Sequence, residues 1–380
     1  MVKPTVVFVT DIPNWGGSTL SLKDLLISIG NSITPIVLVY KKDEVYNYML
    51  ANGIKCYLIP YRLSTFKSTH KSLLWFHYLY ESFKYFYKTK RGLRVAQNIL
   101  GNERIDIIHS NTSAIDFGYK LSKRLGVKHV WHVREMLETF HNTYNIGGFD
   151  RLKEKMRNTD KLVFISNACA EFWGMRVLKN QVVVGDAVRS KKDVVYNKDK
   201  EKYFLFCSYR LSNFKGADVA IRAFGMSNLA KQGYRLKMIG RYYPDYKTEL
   251  ESISLQYGVS SSIDYIGSLD SQQVQSYMAN ATAYLQCGEM EGLGRTAIEA
   301  MFYGCPVIAR NCGGTLDFVE HKVTGFLWNT LEECADQMSY ITGIDASDIV
   351  LAAQNNVMKK YSIEQYGEQI FKLYNSLLNG

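Results

Sequence analysis

Two carboxylates flank a glycine-rich turn in the segment Glu291-Gly-Leu-Gly-Arg-Thr-Ala-Ile-Glu299. Helical apolar spacing after Thr296 predicts a helix that carries Glu299 in its first turns and ends at Gly304. Unpaired N–H groups and the positive dipole end at the start of such a helix suit an anionic diphosphate. The pattern therefore indicates a site for a nucleotide sugar. The alternative is a surface loop before an ordinary core helix.

Two cations follow the first strand that is predicted in the second half of the chain. Arg210 and Lys215 stand between this strand and a helix that begins at Ala217. Arg as a planar fork and Lys as a point charge can together neutralise a diphosphate. The two glutamates follow later strands of the same sheet. The cations would then bind phosphate groups, and the carboxylates would bind hydroxyl groups. A solvated loop with incidental charge is the alternative.

Length and composition indicate a globular protein of two domains. A chain of 380 residues can bury two separate cores. No segment approaches the roughly 18 to 20 apolar residues of a membrane span, and the first ten residues resemble a strand more than a signal peptide. The seven cysteines are odd in number and form no CxxC pair. We therefore expect reduced cysteines and a cytoplasmic protein.

Positive charge is concentrated in the first half of the chain. Residues 1–200 contain 31 Lys and Arg against 17 Asp and Glu, whereas the remainder contains 15 against 19. The segment from Arg62 to Arg94 is rich in cations and aromatic residues and has Glu81 as its single acid. Such a segment is typical of a helix that lies in an anionic membrane surface. Nucleic acid binding, or an ordinary helix with one solvated basic face, are the alternatives.

We favour the membrane over nucleic acid as a partner of this segment. The basic face would attract both anionic lipid and the phosphates of a lipid-linked acceptor. We therefore predict peripheral association with the inner face of the plasma membrane and no nucleic acid partner. The residues predicted for this membrane and acceptor face are Lys71, Trp75, Lys84, Lys88, Lys90 and Arg91.

Short β-branched runs alternate with helical patterns along the whole chain, which predicts α/β architecture with mostly parallel, doubly wound sheets. The alternation of strand and helix patterns begins again near residue 203, after the polar stretch from Arg189 to Lys202. Two lobes are therefore expected, with the site at the carboxyl ends of the strands, in the cleft between the lobes. The predicted strands are 5–9, 35–39, 55–59, 105–109, 128–132, 161–165, 203–208, 235–239, 262–266, 283–286 and 306–309.

At this point the motifs resemble a known family. The order and spacing of the segments 210–216, 263–267, 291–299, 305–309, 313–314 and 324–327 resemble the donor lobe of glycosyltransferase family 4, which are retaining enzymes of GT-B fold. The first half agrees more weakly, through the glycine pair at 16–17, the strand 105–109 and the histidine loop 132–135. The resemblance implies two Rossmann-like domains facing each other across a cleft, and a cell-surface polysaccharide enzyme of bacterial type. We assign residues 1–195 to an acceptor domain, 196–358 to a donor domain and 359–380 to a helix that returns to the first domain.

The resemblance also implies roles for single residues. Arg210 and Lys215 would hold the donor diphosphate, Glu299 the ribose hydroxyls, and Glu291 the hydroxyls of the transferred sugar. His132 resembles the family histidine that contacts the donor sugar, although a histidine at a strand end is otherwise a structural hydrogen bonder. The remaining donor-binding positions are Gly16, Gly17, Ile266, Gly292, Leu293, Gly294 and Thr296. A tight turn would also explain the glycine pair at 16 and 17.

The resemblance is not complete. Gly288 stands where the family usually has serine, and Gly185-Asp186 replaces the usual Asn-Gly. These changes leave the identity of the donor sugar open.

The predicted activity is transfer of a hexosyl unit from a nucleotide sugar, with UDP-hexose favoured and GDP-mannose next, to a hydroxyl of a lipid-linked glycan or glycolipid. The chain has no Asp-x-Asp triplet, so we expect no metal and no cofactor, with Arg210 and Lys215 stabilising the leaving diphosphate in a front-face reaction. The alternatives are a nucleotide-sugar 2-epimerase of the same fold, which would release epimerised nucleotide sugar without an acceptor, and a non-catalytic subunit that binds the donor without turnover.

Overall fold

The computed structural model describes residues 3–10, 16–68, 73–137 and 142–379. The chain forms two compact units. Unit 1 comprises Met1–Ala187 with Tyr366–Gly380, and unit 2 comprises Val188–Gln365. These bounds differ from the predicted boundaries after residues 195 and 358, because residues 188–195 and 359–365 belong to unit 2.

Unit 1 is built on a parallel sheet of seven strands in the order β3-β2-β1-β5-β6-β8-β9, with a separate antiparallel pair of β4 and β7. The strands are β1 (Thr5–Val9), β2 (Thr34–Val39), β3 (Lys55–Leu58), β4 (Thr65–Lys67), β5 (Ile107–Ser110), β6 (Lys128–Val133), β7 (Thr143–Asn145), β8 (Lys161–Phe164) and β9 (Gln181–Val183). The helices are α1 (Gly17–Ile29), α2 (Glu44–Ala51), α3 (Leu74–Leu100), α4 (Phe117–Leu125), α5 (Phe149–Arg157) and α6 (Asn167–Phe172).

Unit 2 has a parallel sheet of six strands in the order β12-β11-β10-β13-β14-β15. The strands are β10 (Glu201–Arg210), β11 (Arg235–Arg241), β12 (Ile263–Gly267), β13 (Ala281–Gln286), β14 (Val307–Arg310) and β15 (Phe326–Trp328). The helices are α7 (Ala217–Met226), α8 (Pro244–Gln256), α9 (Ser271–Asn280), α10 (Arg295–Phe302), α11 (Leu331–Ile341) and α12 (Ser347–Tyr361). The last helix, α13 (Ile363–Asn379), belongs to unit 1 from Tyr366 onwards.

The predicted α/β class with two doubly wound parallel sheets is confirmed. The central strands are continuous apolar runs, such as β1 with all five residues buried, because helices cover both faces of a parallel sheet. In each sheet the strand order reverses beside the first strand of the unit, between β1 and β5 and between β10 and β13. Ligands of open α/β sheets bind at this reversal, outside the carboxyl ends of the strands.

Four short strands were missed by the sequence patterns, namely β4, β7, β9 and β15. Each has three residues. A run of three residues is too short to show alternation, and β4 pairs with a strand almost eighty positions later in the chain.

Helix α3 has one buried and one exposed face. Its buried positions recur at helical spacing as Glu81, Tyr85, Thr89, Gly92, Ala96 and Leu100. Gly92 is needed for this packing, because a Cβ atom there would lie 2.8 Å from the carbonyl oxygen of Pro60. The opposite face, described below, leaves large apolar side chains exposed.

Candidate donor-binding site

The candidate site lies where the strand order of unit 2 reverses. Lys215 follows β10 and Glu291 follows β13, and these two strands are neighbours on the two sides of the reversal. Helix α10 begins just after Glu291. The topology therefore brings the predicted cation, the predicted carboxylate and a helix N-terminus to one edge of the sheet.

The loop after β10 is held close to the end of β13 by a glycine. Gly216 has φ of +74°, a backbone conformation that side chains disfavour. A Cβ atom at this position would also lie 2.6 Å from the carbonyl oxygen of Cys287. Glycine is therefore required here for two separate reasons, and the close approach fixes the position of Lys215 beside β13.

Lys215 and Glu291 form an ion pair. The Lys215 Nζ lies 2.6 Å from Oε1 of Glu291, and the side chains are 35% and 14% exposed respectively. The sequence assigned these residues to different parts of a ligand, the diphosphate and the sugar. The ion pair places the two groups beside each other in one small site.

The loop that carries Glu291 is supported by Gly313 and Gly314. The Gly314 N–H donates to the carbonyl oxygen of Glu291 at 2.8 Å. A Cβ atom at Gly313 would lie 2.6 Å from that same oxygen, and one at Gly314 would lie 2.3 Å from the carbonyl oxygen of Gly292. The glycine pair at 313–314 thus allows two loops to pack backbone against backbone, which fixes the conformation of the 291–294 turn.

Helix α10 begins at the pocket itself. Its N-cap residue is Gly294, with φ of +82° and no side-chain cap. Together with Lys215 and Glu291, the start of the helix encloses a pocket of about 110 Å³. The full lining is Phe206, Cys207, Ser208, Lys215, Tyr284, Gln286, Glu291, Gly294, Arg295 and Thr296. A helix N-terminus beside a lysine is a favourable place for a phosphate group.

Glu299 pairs with Arg189, a residue that the sequence analysis assigned to the joint between domains. Arg189 Nη2 lies 3.3 Å from Oε1 of Glu299. Its guanidinium also donates from Nε to the Tyr303 hydroxyl and from Nη2 to Oγ of Ser271 at 3.2 Å. Burial opposes the charge, but Glu299 and Tyr303 hold the pKa of Arg189 above its ordinary value. No local pattern signalled this contact, because 110 residues separate the partners.

Other predicted donor positions do not line the pocket. Arg210 is exposed at the end of β10, with its guanidinium carbon 5.0 Å from the centre of the Tyr243 ring. Ile266 is half-buried on β12, at the edge of the sheet. Leu293 is buried and Gly292 is half-buried in the turn before α10. Glu289, two residues before Glu291, is exposed and pairs with Arg310 at 2.8 Å.

The predicted glycine pair of unit 1 stands at the start of α1. Gly16 is the N-cap, and its N–H donates to Oγ1 of Thr19 at 2.8 Å. A Cβ atom at Gly17 would meet no described atom within 4 Å. Packing among the described residues therefore does not require glycine at position 17.

His132 lies inside unit 1. Its ring is fully buried on β6, with Nδ1 3.2 Å from the Arg134 guanidinium and Nε2 3.6 Å from a carboxylate oxygen of Asp186. Burial, with the charge of Arg134, holds the pKa of His132 well below its ordinary value, so the ring is neutral. This is the structural role that the sequence analysis gave as the alternative. A contact with a donor sugar stays a prediction.

Arg134 and Asp186 form the centre of the buried network around His132. Arg134 Nε donates to both oxygens of Asp186, at 3.0 and 2.9 Å, and Nη2 donates to Ser21 and to the Tyr366 hydroxyl of α13. Asp186 is the residue that departs from the family's usual Asn-Gly. Its carboxylate neutralises a buried guanidinium, which would be costly to leave unpaired.

Five of the six residues predicted for the membrane face lie in the described part of α3. Lys71 lies outside the described residues. Trp75 is 64% exposed on α3. Lys84 is half-buried, with Nζ 3.6 Å from the centre of the Tyr80 ring. Lys88, Lys90 and Arg91 are exposed on the later turns of the helix.

Comparison with known families finds a match in the second half of the chain. Residues 188–342 match the family described as glycosyl transferases group 1. This segment contains Lys215, Glu291 and Glu299 and covers most of unit 2. The match shows a glycosyl transferases group 1 domain within unit 2, and the two Rossmann-like units have the architecture of the GT-B fold.

Individual relatives are similar to the chain at low identity. The phosphatidylinositol N-acetylglucosaminyltransferase GPI3 subunit of Saccharomyces cerevisiae is 23% identical over 95% of this chain and 77% of its own length. The human alpha-1,3/1,6-mannosyltransferase ALG2 is 29% identical over 35% of this chain and 33% of its own. The structure of Anabaena Alr3699/HepE in complex with UDP has a TM-score of 0.76 and 18% identity, covering 98% of this chain and all of the other. These likenesses in structure show the fold.

Proposed function

We propose that this protein is a retaining hexosyltransferase of glycosyltransferase family 4 type, which transfers a hexosyl unit from a nucleotide sugar to a lipid-linked glycan or glycolipid in polysaccharide biosynthesis. The observation that carries the proposal is the Lys215–Glu291 pair in a pocket at the N-terminus of α10. A cation, a carboxylate and a helix N-terminus in one pocket are the groups needed to bind a diphosphate joined to a sugar.

The proposed roles follow from this geometry. Lys215 and the start of α10 bind the diphosphate, and Arg210 at the end of β10 adds a second cation. Glu291 accepts hydrogen bonds from hydroxyls of the transferred sugar. Glu299, oriented by Arg189 at 3.3 Å, accepts hydrogen bonds from the ribose. At Gly17, where a Cβ atom would meet no described atom within 4 Å, the lack of a side chain would allow the donor phosphates to approach the start of α1.

The proposed reaction needs no protein nucleophile and no metal. As the bond from the sugar to the diphosphate breaks, Lys215 and Arg210 stabilise the negative charge that develops on the leaving oxygen. The acceptor hydroxyl attacks the same face of the sugar and gives its proton to a phosphate oxygen. The new bond then has the configuration of the bond that was broken.

UDP-hexose is the proposed first donor, with GDP-mannose next. This order is supported by the neighbouring structure of Anabaena Alr3699/HepE in complex with UDP-glucose, which has 17% identity and a TM-score of 0.72. A lipid-linked acceptor is supported by the relative named as a phosphatidylinositol N-acetylglucosaminyltransferase subunit. Another neighbouring structure is named as the lipopolysaccharide outer core galactosyltransferase WaaB, with a TM-score of 0.73 and 16% identity.

The proposed acceptor site is at the membrane, reached by peripheral binding of α3 at the inner face. The support is the outer face of this helix, where apolar side chains and cations are exposed together. No helix in the described part of the chain is long and apolar enough to cross a membrane. The exposed apolar residues of α3, which we call the aromatic face, are Trp75, Phe76, Leu79, Tyr80, Phe83, Phe86 and Tyr87.

A panel of nucleotide sugars tests the proposal. A true donor at about 100 times its dissociation constant stabilises the folded protein by about 2.7 kcal/mol, which raises the melting temperature by several degrees. The stabilising nucleotide sugar is then incubated with protein and lipid-linked acceptors, and the products are analysed. We expect a glycosylated lipid with retained configuration. Epimerised free nucleotide sugar, or donor binding with no product on any acceptor, would contradict the proposal.

A further inference from the structure

A second pocket lies in unit 1, beside the beginning of α3. Its volume is about 310 Å³, at the lower end of the range for small-molecule sites. The pocket is bordered by the residue after β2, the segment that includes β4, and the second and third turns of α3. The lining residues are Tyr40, Arg62, Leu63, Thr65, Phe66, Lys67, His77 and Glu81.

The polar groups of this pocket favour an anion. Among the described residues of the lining, Arg62 and Lys67 are cations and Glu81 is the only acid. His77 adds an imidazole. The Glu81 side chain is 11% exposed, and its Oε2 lies 2.8 Å from Nη2 of Arg62. Its other oxygen lies 4.0 Å from Nζ of Lys84. The carboxylate is therefore already neutralised by nearby cations, and the pocket keeps a positive balance.

Glu81 also fixes the direction of the Arg62 guanidinium. A guanidinium has five N–H donors, so the contact with Glu81 leaves further donors for a ligand. Planar guanidinium groups bind phosphate through paired hydrogen bonds, and a guanidinium held in advance loses less freedom when it does so.

The pocket adjoins the aromatic face of α3. His77 and Glu81 line the pocket, while Trp75, Phe76 and Tyr80 on the same turns are exposed. Tyr80 is linked to the polar side through Lys84, whose Nζ lies 3.6 Å from the centre of its ring. An apolar surface thus borders an anion-binding pocket on one helix, which is the arrangement that a phospholipid or a polyprenyl phosphate requires.

We propose that this pocket binds the phosphate-bearing headgroup of the membrane-anchored acceptor while the aromatic face contacts the lipid. The proposal rests on the proposed function, since it assumes a lipid-linked acceptor. It assigns the recognition of the acceptor's anionic group to Arg62 and Lys67, with Phe66 and Tyr40 as apolar walls.

The test uses short-chain dihexanoyl phosphatidic acid below its micelle concentration, titrated into the full-length protein by calorimetry. Arg62→Gln and Lys67→Gln are each expected to weaken binding by about tenfold or more, the effect of losing a charge-assisted hydrogen bond. Arg62→Gln leaves Glu81 without its nearest cation, so Arg62→Gln/Glu81→Gln is measured beside it and is expected to bind equally weakly. The matched control is Lys128→Gln, an exposed cation at the amino end of β6.

Three measurements on the same samples decide the outcome. Unchanged affinity in both Arg62 variants, with wild-type melting temperatures, would overturn the proposal. Equal affinity of the wild-type protein for inorganic phosphate would also overturn it, because the pocket would then be a site for free phosphate. Stabilisation by the panel of nucleotide sugars is recorded in parallel. Donor stabilisation without headgroup binding refutes only the pocket, whereas headgroup binding without stabilisation by any nucleotide sugar refutes the proposed function.

Discussion

Lys215 is the residue on which the proposed chemistry depends most directly. It lines the pocket at α10 together with Arg295, and its ammonium group is held by Glu291 in a position set by Gly216. Because it would stabilise charge on the leaving diphosphate, Lys215→Ala is expected to lower turnover by ~10² to 10³. Donor hydrolysis and transfer assays measure this effect.

A matched variant separates this role from a general loss of positive charge. Lys198→Ala removes a lysine of the same unit that is 72% exposed and pairs with Asp345. Wild-type turnover is expected for that variant. Wild-type turnover in Lys215→Ala would refute the assignment of Lys215 to the leaving group.

Substitution of Glu299 and of Glu291 is expected to affect the binding of different parts of the donor. Glu299→Gln should weaken binding of UDP and of UDP-glucose alike, by about tenfold, because the ribose is common to both. Glu291→Gln should weaken UDP-glucose by a similar factor and leave UDP almost unchanged. Calorimetric titration of both ligands into both variants measures these affinities. Equal effects of Glu291→Gln on the two ligands would show that Glu291 does not contact the sugar.

At the scale of elements, a buried carboxylate ties α3 to its neighbours. Asp116, before α4, accepts hydrogen bonds from the Tyr85 hydroxyl of α3 at 2.5 Å and from Lys155 of α5 at 2.6 Å. Lys120 of α4 lies 3.0 Å from the same carboxylate. Burial opposes ionisation, but Lys120 and Lys155 outweigh it and hold the pKa of Asp116 below its ordinary value. The helix that carries the aromatic face is therefore held in place by contacts on its buried face.

This network predicts a dependence of stability on pH. Since the pKa of Asp116 is lowered in the folded protein, its contribution is fully present above the unfolded value of about 3.9 and is lost as the pH falls through the folded value. Asp116→Asn leaves two half-buried lysines without their partner, so we expect a loss of about 3 kcal/mol at neutral pH. The difference in free energy of unfolding between this variant and the wild-type protein should become smaller below pH ~4, as Asp116 of the wild type becomes protonated. Urea unfolding at several pH values measures both.

The control for this prediction is a surface carboxylate. Glu171→Gln removes one partner of a pair with Arg176 in which both side chains are mainly exposed, so its effect should stay within about 0.5 kcal/mol. If Asp116→Asn and Glu171→Gln unfold with the same free energy at neutral pH, the buried network does not anchor α3.

At the scale of the whole molecule, the exposed surface is divided between a basic, aromatic unit 1 and a slightly acidic second half. The aromatic face of α3 gathers side chains such as Phe83, 73% exposed, and Phe86 on one side of a helix. The later turns expose Lys88, Lys90 and Arg91. Apolar burial and attraction to anionic lipid therefore act at the same surface.

This surface predicts binding to anionic vesicles at low salt. Phe83→Ser/Phe86→Ser is expected to weaken binding by about tenfold or more, since burial of each ring contributes roughly 1.5 to 3 kcal/mol. Leu255→Ser, which changes an apolar residue of unit 2 that is 74% exposed, is the control and should bind as wild type does. Co-sedimentation with vesicles measures the fraction bound. Failure of the wild-type protein to bind would refute the membrane proposal.

Residue patterns alone predicted the long central strands, the second series of strands and helices near residue 203, and the order of the chemical groups along unit 2. These depend on local periodicity, and the edge at which Lys215 and Glu291 meet follows from the rule that parallel strands end together. The enclosure of His132 and the short strands β4 and β7 could not be predicted in this way. Both depend on segments that are distant in sequence.

The pairing of charged groups, in contrast, depends on the packing of segments that are distant in sequence. Arg189 resembled a residue of a polar linker, yet it pairs with Glu299, and Arg62 resembled one cation among many, yet Glu81 holds it at the edge of a pocket. An ion pair requires two side chains within a few ångströms, and that distance is set by the order of strands and by glycine contacts such as Gly216 with Cys287. Residue type determined what each group can do, and packing determined with which partner it does so.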